Sequence, residues 1–449
     1  MAVVTPLKTA AEQQLSQQFA QAKATLPGAG AVARLRDEAF AGFEARGLPN
    51  RRLESWRYTD LRSMLREAMP PAQAGERPQA IADRLALQTI SGPRLVLIDG
   101  WFSAADSDLQ GLPEGVTVRS LSEALAQAPD AFAAAFDLPE IARDDSALML
   151  NAAFASDGVL IEVAPGVALA QPLLILSLGS GAREAAIVSR SRVVVGAGAK
   201  VAVVEVHESL GPSPTQNNQA LAFSVADGAE VQHVRIVTRQ RAETVQVQSL
   251  IVEIGKEANF ASVALAVNCG VLRQQSFVRY AGEHSNAALR GINLLSRREH
   301  CDVTLVMDHA AAHGESRELF KTIAEGEGTG VFQGKVIVRP HSQKTDGGMK
   351  SHALLLNEGA TMYNKPELEI FADDVVCGHG ATVAQMDSEQ LFYLMARGLP
   401  RPVAESLVLA AFVGEVTEFV GDESVREIIG REIDAWLAQR GAAPKSGAA

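Results

Sequence analysis

The chain has 449 residues, of which 47% are hydrophobic and only 5% aromatic, and its formal net charge is −12 at pH 7. This length exceeds what one ordinary hydrophobic core occupies, so the sequence predicts either several domains or a repeat architecture. The acidic balance argues against nucleic acid as a partner, because phosphate binding requires clustered lysine and arginine.

Hydropathy and cysteine usage further limit the kinds of protein that this sequence can encode. No window of about 18 apolar residues is present, which argues against a membrane-spanning helix. The N-terminus lacks the pattern of a secretory signal peptide, so we expect a cytoplasmic protein. Cys269, Cys301 and Cys377 are odd in number, far apart in the sequence and outside any C-x-x-C pair. This usage argues against a disulfide framework and against a resident ferredoxin-type cluster.

The first third of the chain is predicted to be mainly helical. Residues 1–90 form an N-terminal helical domain and linker, with apolar residues at three- and four-residue steps in segments 10–26 and 31–46. A Pro-containing stretch near residue 70 marks the linker. Residues 91–144 predict a small mixed α/β segment that joins the helices to the following region.

Residues 145–386 have a different character, with short Val, Ile and Leu runs separated by small turns. The turns that align with one another are Gly198-Ala199, Gly228-Ala229, Glu257-Ala258, Asn286-Ala287, Gly328-Thr329 and Gly359-Ala360. Their spacing is nearly even, except for one longer gap between Asn286-Ala287 and Gly328-Thr329. A period of about 30 residues with several strands in each repeat predicts a coiled sheet in which every turn stacks on the last. Right-handed coiling follows the usual crossover preference.

The last part of the chain returns to helical periodicity. Residues 387–440 predict a C-terminal helical domain, and the small, polar residues 441–449 predict a disordered tail. The complete prediction is a mainly β chain with flanking α structure, a right-handed parallel β-helix core between N-terminal and C-terminal helical domains. Because a solenoid leaves its end strands unpaired, its edge must be capped or must pair with another chain.

Cys377 and His379 are the strongest chemical candidates. In an extended backbone, residues two positions apart project to the same side, so this thiol and this imidazole form half of a soft-metal site. From spacing alone, a buried thiol beside a hydrogen-bonded imidazole is the more frequent interpretation of such a pair.

Two other motifs carry weaker signals. His309 and His313 have the spacing of one helical turn, but Ala310 replaces the glutamate of a zinc protease motif. We favour a structural or solvent-facing role, while Asp308, Glu315 and Cys301 leave a metal hypothesis open. The glycines of residues 328–336 lack the spacing of a phosphate-binding loop, so we expect no ATP site there and interpret them as solenoid turns.

Several stretches together resemble a known family. Residues 373–383, Asp-Asp-Val-Val-Cys-Gly-His-Gly-Ala-Thr-Val, and the following residues 387–398 closely resemble the C-terminal signature of the SufB/SufD family of iron–sulfur cluster assembly proteins, in its SufD form. The resemblance extends to residues 48–60, 330–335 and 343–346. It therefore covers most of the chain.

The resemblance implies an accessory scaffold subunit of the SufBCD type and not an enzyme. It implies that Cys377 and His379 lie at the junction with a SufB-like subunit, where a transient iron–sulfur cluster forms and no cofactor is permanently bound. It also implies that the C-terminal helices dock a SufC-like ATPase. The cluster type, the iron source, flavin binding, dimerisation of the isolated chain and the role of His309 and His313 are left open.

Two alternatives are kept. One is a homomeric scaffold of the SufB type. The other is a β-helix carbohydrate-active enzyme, which requires paired carboxylates on one face, whereas the adjacent Asp373 and Asp374 are expected to point to opposite sides.

Overall fold

The structure is a computed structural model that describes residues 8–75, 77–86 and 89–442. Of the tail predicted to be disordered, residues 443–449 lie outside the described residues, and residues 441 and 442 end the last helix. No helix within the described ranges is both long and apolar enough to cross a membrane.

The helices lie before and after a long run of strands. Their bounds are α1 (Ala10–Ala22), α2 (Gly30–Arg46), α3 (Leu61–Met64), α4 (Gln79–Ala86), α5 (Leu121–Gln127), α6 (Ser146–Phe154), α7 (Ser388–Ala396), α8 (Arg401–Thr417) and α9 (Glu423–Ala442). Short 3₁₀ helices span Glu54–Trp56, Pro129–Phe136 and Glu140–Ala142. A capping box, in which Thr9 and Glu12 exchange side-chain to backbone hydrogen bonds, fixes the start of α1.

The strands form the centre of the molecule. Their bounds are β1 (Arg94–Ile98), β2 (Trp101–Phe102), β3 (Val116–Ser120), β4 (Val159–Val163), β5 (Leu173–Gly179), β6 (Ala185–Val195), β7 (Lys200–Ser209), β8 (Thr215–Val225), β9 (Glu230–Val237), β10 (Val245–Ile254), β11 (Asn259–Val267), β12 (Val271–Tyr280), β13 (Asn286–Leu295), β14 (His300–His309), β15 (Glu315–Ala324), β16 (Thr329–Val338), β17 (Asp346–Leu355), β18 (Thr361–Ile370) and β19 (Val376–Ala384).

Two sheets share these strands in alternation. From β5 onward the odd-numbered strands belong to a ten-stranded sheet that also contains β1 and β2, and the even-numbered strands belong to a nine-stranded sheet with β3 and β4. Only the β1–β2 and β3–β4 pairs are antiparallel among the described strands, and successive turns pair in parallel. The prediction of a parallel β-helix between N-terminal and C-terminal helices is confirmed.

The one long gap in the predicted repeat has a geometric cause. Each turn of the β-helix contains two corners, one after an even-numbered strand and one after an odd-numbered strand. Positions 198, 228, 257 and 286 mark the first kind of corner, whereas positions 328 and 359 mark the second. The repeat itself is not interrupted there, because β12 pairs with β14 and β14 with β16 along their full lengths, in the same register as the neighbouring turns.

The interpretation of residues 328–336 as turn glycines is wrong for two of them. Gly330 and Gly334 lie inside β16 and are buried. A Cβ on either glycine would meet a methionine sulfur at 2.7 Å or less, that of Met362 beside Gly330 and that of Met349 beside Gly334. These glycines are therefore needed for packing, because a larger side chain would displace the sulfur atoms of the neighbouring turns.

Side chains alternate between the interior of the β-helix and its outer faces. In β7, Val201 and Val203 join the interior core, whereas Val204 and Val206 join a second core beneath the C-terminal helices. Helices α8 and α9 cover the outer face of the ten-stranded sheet through residues such as Leu409. Burial on both faces explains the near-continuous apolar runs of these strands.

The N-terminal helices cover the outer face of the nine-stranded sheet, where Arg273 of β12 is the anchor. Its guanidinium binds the Asp302 carboxylate at 2.6 Å, donates to the Ser55 carbonyl at 2.9 Å and lies 3.8 Å from the Trp56 ring centroid. The Thr59 hydroxyl also donates to Asp302. A fully buried ion pair therefore fixes the N-terminal segment to the β-helix.

We expect Arg273→Ala to destabilise the chain by about 3–5 kcal/mol, because it leaves the buried Asp302 carboxylate without its cation. The matched control lies on the same strand. Arg279 and Glu253 form an exposed ion pair at 3.5 Å, and Arg279→Ala should cost less than about 1 kcal/mol. Urea unfolding followed by circular dichroism measures the stability of both variants. Equal losses of stability would contradict the role of Arg273 as the anchor.

Candidate functional site

At the C-terminal end of the β-helix, the last strand of each sheet has one unpaired edge. Strand β18 is bonded along its length to β16, strand β19 is bonded to β17, and each is the last strand of its sheet within the described ranges. The backbone groups on the outer edges of these two strands are therefore available to a further strand. We call this end of the β-helix the rim, defined by β18 and β19.

Cys377 and His379 both lie on the inner face of β19. Their register partners in β17 are Gly347 and Met349, and Met349 belongs to the interior core. Cys377 is half-buried against that core, whereas His379 is exposed because no further described turn covers it. The structure thus places the thiol and the imidazole on one face, at the opening of the interior.

The environment of Cys377 keeps its thiol protonated. Burial, together with the negative charges of Asp346 and Glu318, raises the pKa of the Cys377 thiol above its ordinary value. Since only the thiolate ligates metals, binding an ion at this sulfur must release a proton.

The rim carries an unusual number of exposed apolar side chains. Val376 is 72% exposed although it lies in a strand. The other exposed apolar residues of this end are Tyr363, Ile370, Phe371 and Val383. Exposed apolar side chains at an unpaired sheet edge are typical of a surface that is covered by another protein.

The N-terminal segment reaches the same end of the molecule. The Tyr58 ring stacks on Tyr363 of β18 with centroids 4.8 Å apart, and Lys365 binds the Glu54 carboxylate at 2.8 Å. Gln333 of β16 donates to the Ser55 carbonyl at 3.1 Å. The stretches 48–60 and 330–335, which are remote in sequence, are therefore neighbours beside the rim.

The two histidines with helical spacing are not on a helix. His309 ends β14 and faces the interior, where its ring stacks on Tyr280 with centroids 4.1 Å apart. His313 lies in the following turn and stacks on His284. Burial lowers the pKa of His309 to about 4, so its imidazole is neutral near pH 7.

The other two cysteines, although distant in sequence, are neighbours inside the β-helix. Cys269 and Cys301 are both fully buried, and interaction with Cys301 together with burial raises the pKa of the Cys269 thiol well above its usual range. Neither thiol reaches the rim. Among the described residues, no three His, Cys, Asp or Glu side chains are grouped closely enough to enclose a metal ion.

Glu318 is the residue near this site that sequence reasoning missed. It lies on the inner face of β15, in the register column that continues through Met349 to His379. It is 2% exposed, and neither carboxyl oxygen has a hydrogen-bond partner among the described residues. The signal was present in the sequence, because Glu318 stands between Ser316 and Phe320 in the inward phase of a strand.

The isolation of Glu318 makes its ionisation unfavourable. Burial raises the pKa of its carboxyl group from 4.5 to about 8, while Ser316 and the charge of Arg317 act in the opposite direction with smaller effect. Between these two values the folded chain holds a proton that the unfolded chain has lost. The contribution of Glu318 to stability is therefore fully present below pH 4.5 and is lost as the pH rises to about 8.

We expect Glu318→Gln to become progressively more stable than the native chain as the pH rises, by roughly 1.4 kcal/mol per pH unit between the two pKa values. Thermal unfolding midpoints at about pH 5, 7 and 9 measure this difference. Glu315→Gln is the control, because Glu315 is exposed on the same strand. A difference that stays constant across this pH range would contradict a buried, unpaired carboxyl group at position 318.

Comparison with known proteins gives a consistent result over the whole fold. Residues 9–175 match the SufBD protein N-terminal region, and residues 178–412 match the SufBD core domain of the SUF system for FeS cluster assembly. The second match includes the β-helix from the end of β5 to the rim, and with it Cys377 and His379.

Individual relatives agree with the two domain matches. The chain is 31% identical to the iron–sulfur cluster assembly protein SufD of Escherichia coli, over 88% of this chain and 89% of that protein. It is 26% identical to an iron–sulfur cluster assembly SufBD family protein of Synechocystis, over 83% of each chain. It is 27% identical to the chloroplastic protein ABCI7 of Arabidopsis thaliana, over 88% of this chain and 84% of that protein.

The domain matches and the identity to SufD cover both the N-terminal helices and the β-helix, in the order in which the structure arranges them. The chain therefore belongs to the SufB/SufD family.

Proposed function

We propose that this chain is an accessory scaffold subunit for iron–sulfur cluster assembly, which pairs with a SufB-like subunit and contributes Cys377 and His379 to a transient site between the two. One observation carries the proposal. These two side chains project inward from β19, the last strand of the ten-stranded sheet, which no further described turn covers. The family match and the relative named SufD support the process.

The chemistry of the pair suits iron as cargo. A thiolate and a neutral imidazole both ligate iron, and iron–sulfur clusters are held by such donors. Two ligands do not complete a coordination shell, so a partner must supply the remaining sulfur donors. A site that is completed only at an interface assembles its cluster transiently and releases it when the interface opens.

The rim supplies the means of pairing. A partner strand can add to β18, to β19 or to both, because the outer edges of both strands are unpaired within the described chain. Main-chain hydrogen bonds would give affinity, and burial of Val376, Val383 and Phe371 would add the apolar contribution. Pairing at this edge brings the partner directly against Cys377 and His379.

The C-terminal helices offer a separate docking surface. Helix α7 has no buried residue, and its Phe392 is 74% exposed. A groove of about 860 Å³ lies between α7, α8 and the end of β19, lined by residues that include Tyr393, Leu407 and Phe412. We assign this surface to a SufC-like ATPase, whose hydrolysis cycle would move the two β-helices and open the site. The chain itself acts as a scaffold and not as an enzyme.

We expect His379→Ala to lower the yield of cluster by at least about tenfold when the chain is co-expressed with its SufB-like and SufC-like partners, because one ligand of the shared site is lost. Absorbance of the purified complex together with iron and sulfide analysis measures the yield. His284→Ala is the control, because His284 is exposed in the turn between β12 and β13, which is not part of the rim. An unchanged yield in the His379 variant would refute the metal role.

We expect Val383→Lys to prevent co-purification with the SufB-like subunit, because it places a charge on the inner face of β19 that the partner must cover. Leu109→Lys, an exposed position outside the rim, should leave pairing intact. Size-exclusion chromatography with mass measurement distinguishes the states. If the native chain forms only complexes with itself, a homomeric scaffold replaces the heteromeric one.

A further inference from the structure

Three inward-facing polar side chains near the rim have no hydrogen-bond partner within the described part of the chain. They are His309, through both ring nitrogens, Ser316, through its hydroxyl, and Glu318, through both carboxyl oxygens. His309 and Ser316 are 0% exposed. Buried polar atoms are nearly always paired, so this group of unpaired atoms needs an explanation, such as a bound ion or ordered water.

All three side chains lie near one residue, Tyr280. The His309 ring stacks on it, and Ser316 and Glu318 both act on the pKa of its hydroxyl group. The Tyr280 hydroxyl is itself occupied, since it donates to the Glu315 carbonyl at 2.8 Å. We call Tyr280, His309, Ser316 and Glu318 the inner polar pocket, which lies where β12 and β14 end and β15 begins.

Elsewhere in the interior, a buried carboxylate is fully paired. Glu205 of β7 is buried like Glu318, with 6% exposed against 2%, yet it accepts hydrogen bonds at 2.9 Å from His233 and from Arg235. Although burial acts to raise it, the pKa of Glu205 is held well below its usual range by these partners. The same interior therefore pairs one glutamate directly, whereas Glu318 has no hydrogen bond or ion pair among the described residues and is influenced only by the nearby Ser316 and by the charges of Arg317 and Arg290. The missing partner of Glu318 is expected to come from outside the chain.

A gap in the side-chain packing connects this pocket with the rim. Gly347 lies between β15 and β19 in register with Ser316 and Cys377. The position that a Cβ of residue 347 would occupy is 3.4 Å from the Cys377 sulfur and 3.4 Å from the Ser316 hydroxyl oxygen. The absence of a side chain there leaves space between the thiol of the rim and the inner polar pocket.

We propose that the inner polar pocket binds a divalent metal ion, with Glu318 as the charged ligand and Ser316 and His309 as neutral donors, reached from the rim past Gly347. Carboxylate, hydroxyl and imidazole donors suit Fe²⁺ and Mn²⁺, and water completes the shell because these side chains do not enclose an ion alone. The site belongs to this chain and needs no partner. In the assembly it would hold iron directly behind Cys377.

The pocket is tested on the isolated full-length chain with Mn²⁺, whose free form is measured by electron paramagnetic resonance. We expect one saturable site, with affinity at least about tenfold weaker in Glu318→Gln and reduced in Ser316→Ala. Glu315→Gln, on the outer face of the same strand, should remain within about twofold of the native chain. Circular dichroism confirms that each variant is folded.

Two further variants separate the pocket from the rim and test the path. The double variant Cys377→Ser and His379→Ala should retain Mn²⁺ binding within about twofold. Gly347→Ala should slow uptake, because its methyl group fits at van der Waals distance and fills the gap. Gly348→Ala is the matched control, because position 348 faces Arg317 on the outer side.

The outcomes are distinct from those of the proposed function. If the native chain has no saturable Mn²⁺ site, or if Glu318→Gln binds Mn²⁺ as tightly as the native chain, the proposed metal site in the inner polar pocket is wrong. The proposed role of the rim is then still tested separately by the cluster yield of His379→Ala. Loss of Mn²⁺ binding in the double variant would place the ion at the rim and would also overturn the pocket. Equal uptake rates for the Gly347 and Gly348 variants would overturn the path.

Discussion

The structure depends on one constraint, which is that each turn of the β-helix buries the inner face of the turn before it. Interior side chains at alternate positions are covered from both sides in every turn except the last. Met349 and His379 occupy equivalent positions in β17 and β19, yet the first is in the core and the second is exposed. The end of the repeat therefore determines where the candidate ligands lie, because a position that is buried in one turn is exposed in the last turn.

This constraint also governs charge in the interior. A carboxylate enclosed between turns is isolated from water and must find its partners within reach of neighbouring strands. Glu205 does so through Arg235 and His233 in the adjacent strand β9. Glu318 lies close below the rim, where the interior opens and an external ion can take the place of such partners. An ionised, unpaired carboxylate is costly at that position, and the cost is removed by protonation or, in our proposal, by binding of a cation.

The sequence was sufficient where periodicity alone sets the structure. The even spacing of the turns and the alternation within strands predicted the β-helix and the common face of Cys377 and His379. Periodicity does not distinguish the two corners of a turn, however, which explains why positions 286 and 328 were aligned although they lie at different corners. It also cannot show that Gly330 and Gly334 make room for methionine sulfurs from other turns, or that Cys269 and Cys301 are neighbours.

Contacts that join the N-terminal segment to the rim were equally beyond prediction from local patterns, because they depend on how a separate layer docks. Arg273, Asp302 and Trp56 fix that segment on β12 and β14, and Tyr58 and Glu54 extend from it to β18. One side of the rim is thus held by a buried ion pair.

The opposite side of the rim has no comparable support within the described residues. Strand β19 continues into α7, a helix without buried residues that packs against α8. The two edges of the rim are thus held differently: β18 is contacted directly by the N-terminal segment, whereas β19 is held by its ladder with β17 and leads into α7.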